Sequence, residues 1–142
     1  MKTVRIVGVP EHFNFPWQLT IEEGMFNEVG IDVQWTDIPE GTGKICELLR
    51  NNDTDLAVIL TEGIIKDIAN GNDTVILQTY VQSPLQWGIH VNANSNYYKI
   101  EDLFGKTAAI SRYGSGSELM TYVNAANENW NFDSIQFKLV NT

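Results

Sequence analysis

The chain has 142 residues, 43% of them hydrophobic, so it can bury a real core, and its length alone fits a single domain. Nine Lys and Arg against 18 Asp and Glu give a formal net charge of −9. No basic patch is left to displace the counterions of a phosphate backbone, so nucleic acid is not an expected partner, and the acidity reads as ordinary solubility.

From the N-terminus, Met1 and Lys2 lead straight into Val4-Arg5-Ile6-Val7, without the charged, apolar and small-residue series of a secretion signal. No later run approaches the ~20 apolar residues needed to cross a bilayer. The chain as given reads as cytoplasmic, or as periplasmic or cell-surface if an export signal was trimmed. Val4 to Val9 reads as a buried first strand, after which Pro16 presets φ at a helix start. Trp17, Ile21, Met25 and Val29 put one apolar stripe on that helix, and Gly30 ends it. Ile31, Val33 and Trp35 alternate as a second strand. After the loop Pro39 to Gly43, a short helix carries Ile45, Leu48 and Leu49. Its Cys46 is the single cysteine, which excludes an internal disulfide, and there is no CxxC pair or His/Cys cluster to hold zinc. Cys46 reads as a buried structural thiol, and neither a metal nor a cofactor is expected.

Leu56 to Leu60 is a nearly continuous apolar run, the pattern of a central parallel strand covered on both faces. Ile64, Ile65, Ile68 and Ala69 mark a third helix face, stopped at Asn70-Gly71. Val75 to Val81 reads as a strand, Ser83-Pro84 breaks it, and Trp87 to Val91 resumes extended structure. Asn92 to Tyr98 is a polar crossover. Ile100 to Phe104 is a helical turn, Thr107 to Ile110 a buried strand, Leu119 to Ala126 a helix, and Ile135, Phe137 and Leu139 an alternating strand. Strands alternating with helices of this length indicate βαβ units and a mostly parallel sheet, an α/β fold with flanking helices.

One unit recurs three times: an apolar strand, a short polar loop, then a helix whose first turn faces that loop. It occurs at Val4–Val9 before His12, Asn14 and Pro16, at Asp55–Leu60 before Thr61-Glu62-Gly63, and at Lys106–Ser111 before Gly114-Ser115-Gly116-Ser117. Free N–H groups at such helix starts suit an anion or a polar ligand group. In an open parallel sheet the ligand lies beyond the carboxyl ends of the strands, where the topology switches. That selects His12, Phe13 and Asn14; Gly41, Thr42 and Gly43; Thr61 and Glu62; Ser83 and Trp87; and Ser111, Arg112, Gly114, Ser115 and Gly116 as candidate ligand-binding residues. For Gly41 and Gly43 a turn competes evenly with ligand contact, and for Ser115 and Ser117 helix capping does. Arg112 offers a bidentate fork to carboxylate, sulfonate or phosphate, or else a surface ion pair. Glu62 matches the dipole of its helix and would also accept from an amino group. Phe13 and Trp87 suit stacking on a planar ligand, whereas Trp17 and Trp35 fall on periodic core positions. No catalytic residue is assigned.

The ordered series Gly24-Met25-Phe26, Glu28, Gly30-Ile31, Val33, Gly41 to Gly43, Leu49, Asp55-Leu56-Ala57, Gly71, Asp102-Leu103, Gly105-Lys106 and Ser111 to Ser117 resembles type II periplasmic binding proteins. Within them it looks like the receptors for nitrate, sulfonate and taurine and the related thiamine-pyrimidine proteins. The resemblance runs from Val4 to about Trp130 and implies a periplasmic-binding-protein-like II fold of two α/β lobes, with ligand in the cleft between them. It further implies that residues 1–88 are most of lobe one and 89–142 the crossover and opening of lobe two, so that the two-lobe fold is truncated. A chain that is really this short would instead pair as a homodimer.

The function implied is that of a solute-binding protein of an ABC transporter. It would capture a small organic or oxyanionic ligand by hinge closure and deliver it to a transporter permease. The alternative is an enzyme on the same fold in thiamine-pyrimidine or menaquinone-type biosynthesis. The thiamine-pyrimidine synthases use a cysteine-rich motif that a chain with only Cys46 lacks, and Leu119 stands where a dinucleotide fingerprint needs its third glycine.

Overall fold

A computed structural model describes residues 1–140. The chain forms two compact units, Met1–Tyr80 and Val81–Thr142.

The first unit is built on three parallel strands, β1 (Lys2–Gly8), β2 (Ile31–Asp37) and β3 (Leu56–Val58), in the order β2-β1-β3. β1, with Ile6 and Val7 buried, is the central strand of this sheet, and not β3 as its apolar run suggested. The register sets Lys2 beside Ile31 and Gly8 beside both Asp37 and Val58. Helices α1 (Phe15–Glu22) and α2 (Met25–Glu28) connect β1 to β2, α3 (Thr42–Arg50) connects β2 to β3, and α4 (Thr61–Ala69) follows. Ile45, Cys46 and Ile64 bury the inner faces of α3 and α4.

One continuous helix was expected from Pro16 to Val29, and the chain breaks it at Gly24. There φ is +72°, a left-handed conformation that a β-carbon would oppose, and no other group lies close enough to explain the glycine by packing. The break turns the stripe aside, leaving Met25 and Val29 exposed while Phe26 swings in to stack on Trp17 at 5.9 Å. Trp17 also stacks on Trp35 at 6.0 Å, but both tryptophans are half-buried, at the edge of the core and not within it as their periodicity indicated.

Midway along β1, beside the amino end of β3, an ionic clamp ties the two strands. Arg5 donates to both carboxylate oxygens of Asp55 and to the carbonyls of Asn52 and Asp53. These bonds hold the Asp55 carboxyl down at about 2. Arg50 near the end of α3 pairs with Asp67 of α4, which also accepts from the buried Asn72. Cys46 is buried as expected, and loss of solvation pushes its thiol up to about 11.

The second unit carries β4 (Thr107–Ile110) and β5 (Gln136–Leu139), parallel and joined through α5 (Gly116–Asn127). Ile110 and Ala125 are its buried contacts between strand and helix. Tyr122 meets Phe132 and Phe137 edge to face at 5.6 and 5.4 Å.

Two expected extended segments are not strands. Val75 to Val81 and Trp87 to Val91 carry no ladder partner among the described residues, and their side chains face solvent, Val75 and Leu77 each 73% exposed. β-branched and aromatic residues fit a pleated, half-buried surface, but they make a strand only where a neighbour accepts their backbone hydrogen bonds. Among the described residues no helix is long and apolar enough to cross a membrane.

Candidate ligand-binding site

In the order β2-β1-β3 the chain leaves β1 to one side and returns to the other. The connections therefore diverge between the carboxyl ends of β1 and β3, the position at which an open α/β sheet forms a ligand crevice. Two stretches leave these ends, residues 9–14 after β1 and residues 59–62 after β3.

The first is held tightly. Asn14 is fully buried, and its Nδ2 donates to the Val9 carbonyl at 2.8 Å. Space for that amide depends on Gly8, where a β-carbon would stand 2.7 Å from Trp35 and 3.1 Å from Asn14 Nδ2. The Phe13 carbonyl accepts from the Tyr80 hydroxyl at 2.8 Å, which straps the loop to the end of the unit. His12 is exposed and meets the Phe13 ring edge to face at 5.6 Å. Asn14 occupies the N-cap position of α1, yet its side chain makes no capping bond and its Oδ1 is buried without a partner.

The second stretch joins two helix starts. A β-carbon at Gly63 would overlap the γ-methyl of the buried Thr42, so the first turns of α3 and α4 press directly together. Neither start receives a side-chain cap. Gly41 opens α3 with φ +74°, a conformation that supports the turn reading of this glycine; it is buried and Gly43 exposed. Two uncapped starts side by side concentrate free N–H groups and the positive ends of two helix dipoles. Thr61 is exposed in the same turn, while Glu62 is half-buried, its Oε1 shielded and without a partner.

In the second unit the Ser/Gly loop satisfies itself. Ser115 Oγ accepts from the Glu118 amide at 3.3 Å and lies 2.9 Å from Ser117 Oγ, which accepts from the Ser111 amide at 3.3 Å. Gly114 donates its amide to Glu118 Oε2 at 2.6 Å. Ser115 thus caps α5; it is buried, and Gly116 is the first helical residue. Arg112 is half-buried, makes no ion pair among the described residues, and has Nε shielded without a partner. Ser83 and Trp87 are exposed on the segment that forms no strand.

The sequence reading missed Gly8, Gly63 and the Tyr80 strap. A glycine in a helix's first turn, as at Gly63, is a signal of close approach and was legible. Tyr80 was not, because its bond to Phe13 spans the whole unit. Among the described residues no group of three or more His, Cys, Asp or Glu is placed to hold a metal ion.

The NMT1/THI5-like family model matches residues 15–142, nearly the whole chain. The chain belongs to this family. Its fold matches that of the conserved Candida albicans CA3427 gene product, described as defining a new family of proteins with the generic periplasmic binding protein fold. The TM-score is 0.85 at 33% identity, over 100% of this chain and 46% of that one. It also matches the periplasmic aliphatic sulphonate binding protein SsuA from Escherichia coli, with a TM-score of 0.66 at 18% identity, over 99% of this chain and 45% of that one. The fold is that of the type II periplasmic binding proteins, and the chain spans a little under half the length of either structure. No curated protein matches the sequence.

Proposed function

We propose that this chain is the ligand-capturing part of an ABC-transporter-type solute-binding protein for a small organic or oxyanionic ligand, sulfonate-, taurine- or pyrimidine-like. With it go a two-lobe organisation, residues 1–88 and 89–142, hinge closure as the capture step and a permease as the receiving partner. The observation that carries the reading is the pair of uncapped helix starts, α3 and α4, pressed together through Thr42 and Gly63 at the switch point of the first sheet. Family membership and SsuA's binding of aliphatic sulphonates support it.

In this reading the amides at Thr42 and Thr61 hold the anionic end of the ligand. Phe13 and Trp87 shield it, and Arg112 supplies a second, bidentate contact. The remaining candidates, His12, Asn14, Gly41, Gly43, Glu62, Ser83, Ser111, Gly114, Ser115 and Gly116, shape the rest of the site. Thr61→Trp is the direct test, because Thr61 is exposed and a bulky side chain there blocks the paired helix starts without entering the core. Calorimetric titration with sulfonates and aminopyrimidines, alongside a thermal melt, should show binding lost with the fold retained. Unchanged affinity would sink the assignment. A bulky residue at Ser115 would be a poor test, since Ser115 is a buried cap and its replacement would disturb α5 itself.

A further inference from the structure

Residues 74–80 of the first unit are held at both ends and free between them. Thr74 donates its amide and its hydroxyl to Oδ1 of the buried Asn72, at 2.9 and 2.6 Å, and the Tyr80 hydroxyl is tied to the Phe13 carbonyl. Between these anchors the chain makes no helix, turn or ladder, and its amides and carbonyls find no backbone partner among the described residues. Val75, Ile76 and Leu77 are 73%, 54% and 73% exposed. Residues suited to a pleated, half-buried surface thus stand beside a row of unspent N–H and C=O groups, as in a strand whose neighbour is missing.

The edges of the first sheet are guarded, and this stretch is not. β2 carries Asp32 and Asp37, and β3 is only 3 residues long, features that discourage pairing with another chain. Residues 74–98, by contrast, contain no Asp, Glu, Lys or Arg, in a chain whose net charge is −9. Two copies that approach through acidic faces repel each other, whereas here no like charges meet. Residues 74–80 are also compatible with their own reverse. Set antiparallel about Leu77, they place Leu77 against Leu77, Ile76 against Gln78 and Val75 against Thr79, with no charge and no proline in the pair.

We propose that residues 74–80 are the dimerisation strand of this chain, to which a second copy adds the same residues antiparallel across a two-fold axis. Each strand then takes up the free backbone groups of the other and covers its exposed Val75 and Leu77. The pairing is independent of any ligand.

Sedimentation equilibrium of the full chain, with hydrogen exchange on the same samples, tests this. A dimer is expected, with the amides of residues 75–79 exchanging at least about tenfold more slowly at high protein concentration than at low. Leu77→Lys sets two ammonium groups against each other at the axis and should raise the dimer dissociation constant at least about tenfold. Leu77 is largely exposed, so the variant should fold, which far-ultraviolet circular dichroism checks. Val29→Lys makes the same charge change at a comparably exposed place in the unit and should leave the dimer intact. A monomer at every concentration overturns the proposal and means that polypeptide other than a second copy covers the strand. A dimer that survives Leu77→Lys, or that Val29→Lys weakens equally, overturns it by placing the contact elsewhere. Open-ended growth beyond the dimer overturns the closed two-fold pairing.

Discussion

The helix starts of the two units are finished in opposite ways. In the second unit Ser115, Ser117 and Glu118 close the start of α5 from within, and the Gly114 amide is already spent on Glu118. In the first unit α1, α3 and α4 all begin without a side-chain cap, and the buried Asn14 stands at the cap position of α1 using only its donor. Serine, glycine and acidic residues occur in both places, so residue type alone does not separate a helix cap from a ligand loop. What separates them is which atoms remain unspent. A loop that completes its own hydrogen bonds is a structural joint. One that leaves its helix starts uncapped keeps N–H groups free for a ligand.

The contrast predicts different outcomes for substitutions that look alike in sequence. The largest effect is expected at Gly63, where a side chain must push Thr42 and hence α3 away from α4. Gly63→Leu should cost roughly 3 kcal/mol, the upper end for overpacking a tight contact, and urea unfolding measures it. A loss below about 0.5 kcal/mol, the scatter of a neutral surface change, would show that the two helix starts are not locked together. Next comes Ser115→Ala, which removes a working cap and should cost about 0.5–2 kcal/mol in the same urea titration. Asn14→Leu should cost less than Ser115→Ala even though Asn14 is the more deeply buried. It forfeits the bond to the Val9 carbonyl but also removes an acceptor that was desolvated for nothing, and the two roughly offset to within about 1 kcal/mol. If Asn14→Leu proved the more destabilising of the two, Asn14 would be an ordinary structural asparagine and the contrast would fail.

Much of this architecture was legible from pattern. β4 has the bounds its apolar run indicated, and Cys46 is buried as its helix neighbours indicated. Ser115 with Glu118 three residues on is a capping signature in its own right. The misreadings share one cause, because periodicity reports what a residue prefers and says nothing about which neighbour is present. Val75 to Val81 has strand composition but no ladder, and Leu56 to Leu60 has the composition of a central strand while the sheet centres on β1. Gly24 lay inside one expected helix, whereas its positive φ ends that helix. At the site, the loop positions were readable but the burial of Asn14 was not. It depends on Gly8 admitting both Trp35 and the Asn14 amide, a three-way contact that sequence order does not display.

The smallest expected effect comes from the amino end of β3, where Arg5 of β1 and Asp55 spend nearly every polar atom on each other and on the neighbouring backbone. This end of the unit is closed where the crevice end is open, and pH should separate the two. The Arg5 side chain and backbone amide both donate to Asp55, holding its carboxyl at about 2 when folded against 3.8 for the ordinary group. Because the folded value is depressed, the clamp contributes fully above about pH 4 and is lost as pH falls through about 2. The pair is solvent-exposed, so the contribution is small and screened by salt. The melting temperature of the native chain should exceed that of Asp55→Asn at neutral pH, and the two curves should converge between about pH 4 and pH 2. A difference that stayed constant down to pH 2 would mean that Asp55 acts through its backbone geometry and not through its charge. That would remove the contrast between a closed, ionic end and an open, ligand-binding one.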